Sequence, residues 1–124
     1  MTPLLFALLA LAGGAGAAAR FILDGVIRSR LKTAFPWATT VINVTGSLAL
    51  GVLTGLTAVH LLPEQLAVVL GAGFLGGYTT FSTASVESVR LIQQRRYGVA
   101  LVSSVGMLVA GVLSSSLGFL LGSL

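Results

Sequence analysis

Residues 65–86 read QLAVVLGAGFLGGYTTFSTASV, 22 residues with no Asp, Glu, Lys or Arg. About 20 apolar residues suffice for a helix to cross a bilayer, so this stretch is a membrane span. Its middle, Gly76-Gly77-Tyr78-Thr79-Thr80-Phe81-Ser82-Thr83, is poor material for an unbroken helix. Two adjacent glycines and a run of hydroxyl and β-branched residues all rank low in helix propensity. A break there would free backbone carbonyls and N–H groups at mid-membrane. Such groups survive in lipid only when buried in protein or lining a cavity. Transporters place ion sites at broken helices of this kind. Bare carbonyls suit a hard cation such as sodium; hydroxyls, amide N–H groups and the electropositive edge of an aromatic ring suit an anion.

Three more stretches lack charge: 1–19, 33–63 and 97–124, and the four together hold 100 of the 124 residues. The whole chain thus reads as one all-α membrane domain of four transmembrane helices, about 3–22, 36–59, 65–87 and 98–122, the third broken at mid-membrane. Composition agrees: 56% of residues are apolar, 8% are charged and mean hydropathy is +1.03. A soluble domain carries about 25% charge. The N-terminal stretch has no Lys or Arg and so lacks the basic flank of a secretory signal, although Ala17-Ala18-Ala19 imitates a cleavage site. Pro36-Trp37, Pro63 and Tyr97 stand where spans begin, as helix-opening prolines and interfacial aromatics do.

The net charge is +4. The bases are few and clustered, and no basic stripe interleaves with aromatics, so nucleic acid is not the partner. Arg20, Arg28, Arg30 and Lys32 flank the first loop, and Arg90, Arg95 and Arg96 the third. All seven bases lie on one side and none on the other, which puts both termini outside the cytoplasm. There is no cysteine. One histidine and three acids leave no acid–base pair or nucleophile–base set, so the chain is not an enzyme. The charge-free stretches that make up the spans hold no carboxylate, which a proton-coupled exporter needs.

Small residues repeat at helix-packing intervals: Gly13 with Ala17, Gly73 with Gly77, and Ser47, Gly51 and Gly55. On the fourth span, Ser104, Gly111, Ser115, Gly118 and Gly122 share one face. Such spacing lets helix backbones approach closely in lipid. So much small surface also suggests a dimer or higher oligomer. Thr40, Asn43, Ser47 and Thr54 fall within about an 80° arc of the second span. Asn43 has two readings, an interhelical hydrogen bond or a donor to a permeating anion, and spacing leaves both open.

Three motifs resemble those of the Fluc-type fluoride channels, also called CrcB, and the resemblance covers nearly the whole chain. Residues 13–21, from Gly13-Gly14 to Arg20-Phe21, are similar to the family's glycine-rich first-helix motif, which ends in Arg-Tyr. Residues 39–47, Thr39 to Gly46-Ser47, are similar to Gly-Thr-x-x-Val-Asn-x-x-Gly-Ser. Residues 73–83 follow the third-helix signature most closely.

The resemblance implies a passive fluoride channel in a bacterial inner membrane, relieving fluoride toxicity, made of two copies packed antiparallel. Two pores would run along the subunit interface, with a central structural sodium ion on the two-fold axis. Gly76 and Thr79 would offer main-chain carbonyls to sodium. Asn43 would project its amide into a pore, Phe81 would present its ring edge to fluoride, and Thr80, Ser82 and Thr83 would complete the polar break. Ser104 would add a hydroxyl on the fourth helix. Arg20 would draw anions into the vestibule, or else snorkel as an anchor.

Two positions depart from the family. Its second phenylalanine falls on Ala84, and a fourth-helix tyrosine falls on Ala100. With the one-sided charge, these departures raise a second expectation. The chain would be a non-conducting or partly degraded subunit of a paired heterodimer, inserted in one orientation beside a homologue in the other. A purely structural membrane subunit is the remaining reading; it would use the glycines but leave the Thr/Phe/Ser run unexplained.

Overall fold

A computed structural model describes residues 2–124. The chain folds as α1 (Pro3–Arg30), α2 (Trp37–Ala58) and a third span of several pieces, followed by α6 (Tyr97–Gly122). The third span comprises α3 (Glu64–Val68), a π-helical stretch (Val69–Leu75), α4 (Gly76–Tyr78) and α5 (Ser82–Gln93). No strand forms among the described residues. Four helices, counting 64–93 as one, are long and apolar enough to cross a membrane.

Helix α1 starts where Thr2 caps it, accepting a hydrogen bond from Leu5 N–H at 3.1 Å. It continues to Arg30, eight residues past the end read from hydropathy. Nothing in 23–30 breaks a helix except Gly25, which costs only about 1 kcal/mol. Asp24 and Arg28 pair one turn apart at 2.6 Å. Arg20 therefore lies ten residues, about 15 Å, inside the helix rather than at its end.

Two close-packed pairs build the bundle, α1 with the third span and α2 with α6. The glycines permit both. A Cβ on Gly16 would overlap the carbonyl of Phe74, and one on Gly118 the carbonyl of Leu48. Without a hydrophobic drive between helices in lipid, such backbone contact holds them together. Fully buried side chains are correspondingly few; Ile42, Thr39 and Ser103 are the largest.

Helices α2 and α5 both end in Schellman turns. Leu61 N–H donates to the Leu56 carbonyl at 2.9 Å and Arg96 N–H to that of Leu91 at 2.8 Å. The left-handed position, usually glycine, is His60 (φ 62°) in one and Arg95 (φ 59°) in the other. The basic residues at the ends of α1 and α5 meet at one end of the bundle, where Arg28 donates to Glu87 at 3.1 Å.

Candidate functional site

The third span breaks where hydroxyl residues begin, not at the glycines. Gly76 and Gly77 are helical, and no glycine has positive φ. Gly77 is there for packing, because a Cβ on it would overlap the Gly13 carbonyl. The chain leaves the helix at Thr79, which is extended (φ −80°, ψ 159°), and re-enters at Ser82. The π-helical stretch just before it is a second irregularity, of a kind that recurs at functional sites.

The break frees backbone groups, and side chains from other helices take several of them. Asn43 on α2 takes both polar groups of Thr80: its Nδ2 donates to the Thr80 carbonyl at 2.8 Å, and its Oδ1 accepts from Thr80 N–H at 2.8 Å. Thr80 Oγ1 accepts from Thr83 N–H, in the first turn of α5, at 3.1 Å. Arg20 Nε donates to the Gly77 carbonyl at 3.2 Å. The Thr80 and Thr83 N–H groups would otherwise serve the carbonyls of Gly76 and Thr79, four residues earlier. Both are diverted. Among the described residues, the Gly76 and Thr79 carbonyls are left with no intramolecular donor. Unpaired backbone groups in a membrane need some other partner.

A cavity of about 700 Å³ opens on this break, between α2, the third span and α6. Of the residues singled out in the sequence, it brings together Asn43, Gly76, Thr79, Thr80, Phe81 and Ser104. Phe81 is 87% exposed in the single chain. No charged residue lines the cavity. Ser82 and Thr83 do not line it; Ser82 Oγ sits 3.4 Å from Thr80 Oγ1. Arg20 does not line it either, and stands behind the break on the α1 side.

The polar arc of α2 also divides. Asn43 and Ser47 reach the cavity. Thr40 and Thr54 turn their hydroxyls onto their own helix, at the Pro36 and Leu50 carbonyls. Ala84 lines the cavity beside Phe81, whereas Ala100 is buried between helices and does not.

Several residues of the site escaped the sequence reading. Met107 Sδ accepts the second N–H of Asn43 at 3.3 Å. Ser85 and Ser88 line the cavity, and Ser88 lies 2.9 Å from Ser104. Their signal was present: Phe81, Ala84, Ser85 and Ser88 recur at helical steps of three, four and seven. Glu87, half-buried, accepts from Arg28 and from the Thr39 hydroxyl. It ties α1, α2 and α5 at the basic end of the bundle. Its only local sign was an acid at the edge of an otherwise charge-free span.

The gap between Gly76 and Thr79 on one side and the open cavity on the other offers hard oxygen donors. Two carbonyls per chain are too few to enclose a cation.

The profile described as CrcB-like protein, Camphor Resistance (CrcB), matches residues 7–119. The chain is 55% identical over 124 residues, all of its length and 90% of the relative's, to the protein named Fluoride-specific ion channel FluC 1 from Leifsonia xyli subsp. xyli. It is 50% identical over 114 residues to Fluoride-specific ion channel FluC 2 from Cutibacterium acnes, covering 91% of this chain and 93% of that one. It is 41% identical over 116 residues to Fluoride-specific ion channel FluC 1 from Ligilactobacillus salivarius, covering 93% and 96%. With its four apolar helices and interrupted third span, the chain is a multi-pass membrane protein that belongs to the CrcB family.

Proposed function

We propose that the chain forms a passive, fluoride-selective channel in the bacterial inner membrane and lets fluoride leave the cytoplasm down its electrical gradient. The observation that carries this reading is the cavity at the break. Its wall is aliphatic with a cluster of hydroxyls and an exposed phenyl ring, and no charged residue lines it among the described residues. Fluoride is small and strongly hydrated, so a pore must replace many hydrogen bonds. A full positive charge in the wall would hold the ion too tightly; conduction needs several moderate sites. The names of the relatives support the choice of ion.

The cavity of one chain is open on one side, and the 87% exposure of Phe81 leaves its ring to be met by another subunit. An antiparallel dimer with two pores would cover it. In that dimer the Phe81 ring edge and the hydroxyls of Thr80 and Ser104 contact fluoride, while Ser82 and Thr83 shape the break. Asn43 serves the pore by holding Thr80 in place. Arg20 supplies positive potential from behind the break and fixes the Gly77 carbonyl. The free carbonyls of Gly76 and Thr79 suit a central sodium ion, which would supply a fixed charge joining the two broken helices.

Fluoride efflux from liposomes holding only this chain tests the proposal, read by a fluoride electrode with chloride as control. Fast, voltage-driven efflux of fluoride but not chloride is expected. Equal rates for the two ions would overturn the selectivity, and no efflux would overturn the homodimer.

The charge bias favours a second reading, a paired heterodimer in which this chain is the weaker subunit. With Arg20 turned to the break, six bases still mark one end of the bundle and none the other. Mapping the sidedness of terminal tags separates the two. One fixed orientation supports the heterodimer; a mixture supports the homodimer.

A further inference from the structure

The cavity wall carries one pair of hydroxyls that neither the break nor a helix backbone uses. Ser88 on α5 and Ser104 on α6 both line the cavity, with their oxygens 2.9 Å apart. The other serines of the wall are committed. Ser85 donates to the Phe81 carbonyl at 3.0 Å, and Ser47 to that of Asn43 at 2.8 Å. The Asn43 amide is committed as well, since its two N–H groups go to the Thr80 carbonyl and to Met107 Sδ. Ser88 and Ser104 have no partner but each other among the described residues. Two hydroxyls hold two protons, and one contact uses only one of them.

We propose that Ser88 and Ser104 form a two-hydroxyl site for a small, hard anion, with Ser88 a pore residue contributed by α5. The inference rests on the channel reading and adds a residue to it. Hydroxyl hydrogens rotate freely, so both can turn from each other onto one ion. Short O–H contacts to an anion run about 2.5–2.7 Å. Oxygens 2.9 Å apart can both make such contacts with an ion as small as fluoride. Chloride is larger, must stand off from both, and gains less. Ser88 lies seven residues, about 10 Å, along α5 from Phe81, toward the basic end that carries Arg90, Arg95 and Arg96. The pair is thus a step between the basic mouth and the ring.

Two measurements on the purified chain test this. In liposome efflux, Ser88→Ala and Ser104→Ala should each slow fluoride about tenfold, the effect of losing one donor to a charged ligand. The double variant should be little slower than either single one, because two groups that act together are not additive. Ser88→Thr, which keeps the hydroxyl, should restore most of the rate. Ser88→Ala at the parent rate beside a slowed Ser104→Ala would overturn the role of Ser88. The second measurement is ¹⁹F NMR titration of the detergent-solubilised chain with sodium fluoride, parent against the Ser88→Ala/Ser104→Ala double variant. Weaker binding in the double variant supports the site even if the parent chain alone does not conduct, which would count against the homodimeric channel only. Equal binding in the two overturns the site.

Discussion

Asn43 and Thr80, 37 residues apart in sequence, exchange two hydrogen bonds of 2.8 Å, as residues on paired strands do. One carboxamide thereby stands in for a neighbouring backbone. It satisfies the extended residue at the centre of the break and diverts the N–H that would have closed the helix onto Gly76. The broken helix is held open by a side chain of α2, not by glycine flexibility.

Asn43→Ala should therefore cost about 2 kcal/mol, two hydrogen bonds at roughly 1 kcal/mol each, and should abolish fluoride efflux. The specific readout is hydrogen exchange at the Thr80 amide, which should lose its protection while the amides of α6 keep theirs. Unchanged protection at Thr80 would mean that the break holds itself.

Ala84→Phe should be accommodated, because Ala84 faces the cavity beside Phe81. The variant should stay monodisperse in detergent with a melting temperature near that of the parent chain. Ala100→Tyr should fail the same assay, since Ala100 is buried and overpacking there costs about 1–3 kcal/mol. The two positions should thus differ: Ala84 should accept an aromatic ring and Ala100 should not.

Gly16→Ala should lower stability by more than 2 kcal/mol or so, beyond the usual range for a surface change, because the new methyl overlaps the Phe74 carbonyl and must push α1 from the third span. Gly14→Ala meets nothing within 4 Å and should be neutral or slightly stabilising through helix propensity. Melting curves of the two variants in one detergent give the comparison.

Thr39→Val removes the hydroxyl that donates to Glu87 and should cost about 1–2 kcal/mol. Glu87→Gln weakens the link to Arg28 and should loosen the α1 end without opening the break. Limited proteolysis in the loop between α1 and α2 should quicken in both variants, while exchange at the Thr80 amide stays slow. Cleavage at the parent rate would show that the Arg28–Glu87–Thr39 cluster does not fasten that end.

The sequence by itself determined the class, the four spans and the region of the third-span interruption. Each depends on local or additive properties. A stretch without charge partitions into lipid whatever its neighbours do, and the low helix propensity of Thr79-Thr80-Phe81 is carried by those residues. The motifs at 13–21, 39–47 and 73–83 identified the family for the same reason, since each is contiguous. What Asn43 does was open on spacing alone, because its two readings differ only in what faces it. Tertiary structure gave its carboxamide a partner on the third span and arranged the residues around it. It turned Arg20 onto Gly77, 57 residues away, and set Ser88 against Ser104. It drew Arg28 to Glu87 across 59 residues and left Gly76 and Thr79 as the cavity-lining carbonyls without donors. Which polar group goes unpaired is settled only when every donor in reach has chosen an acceptor, and those choices lie on other helices.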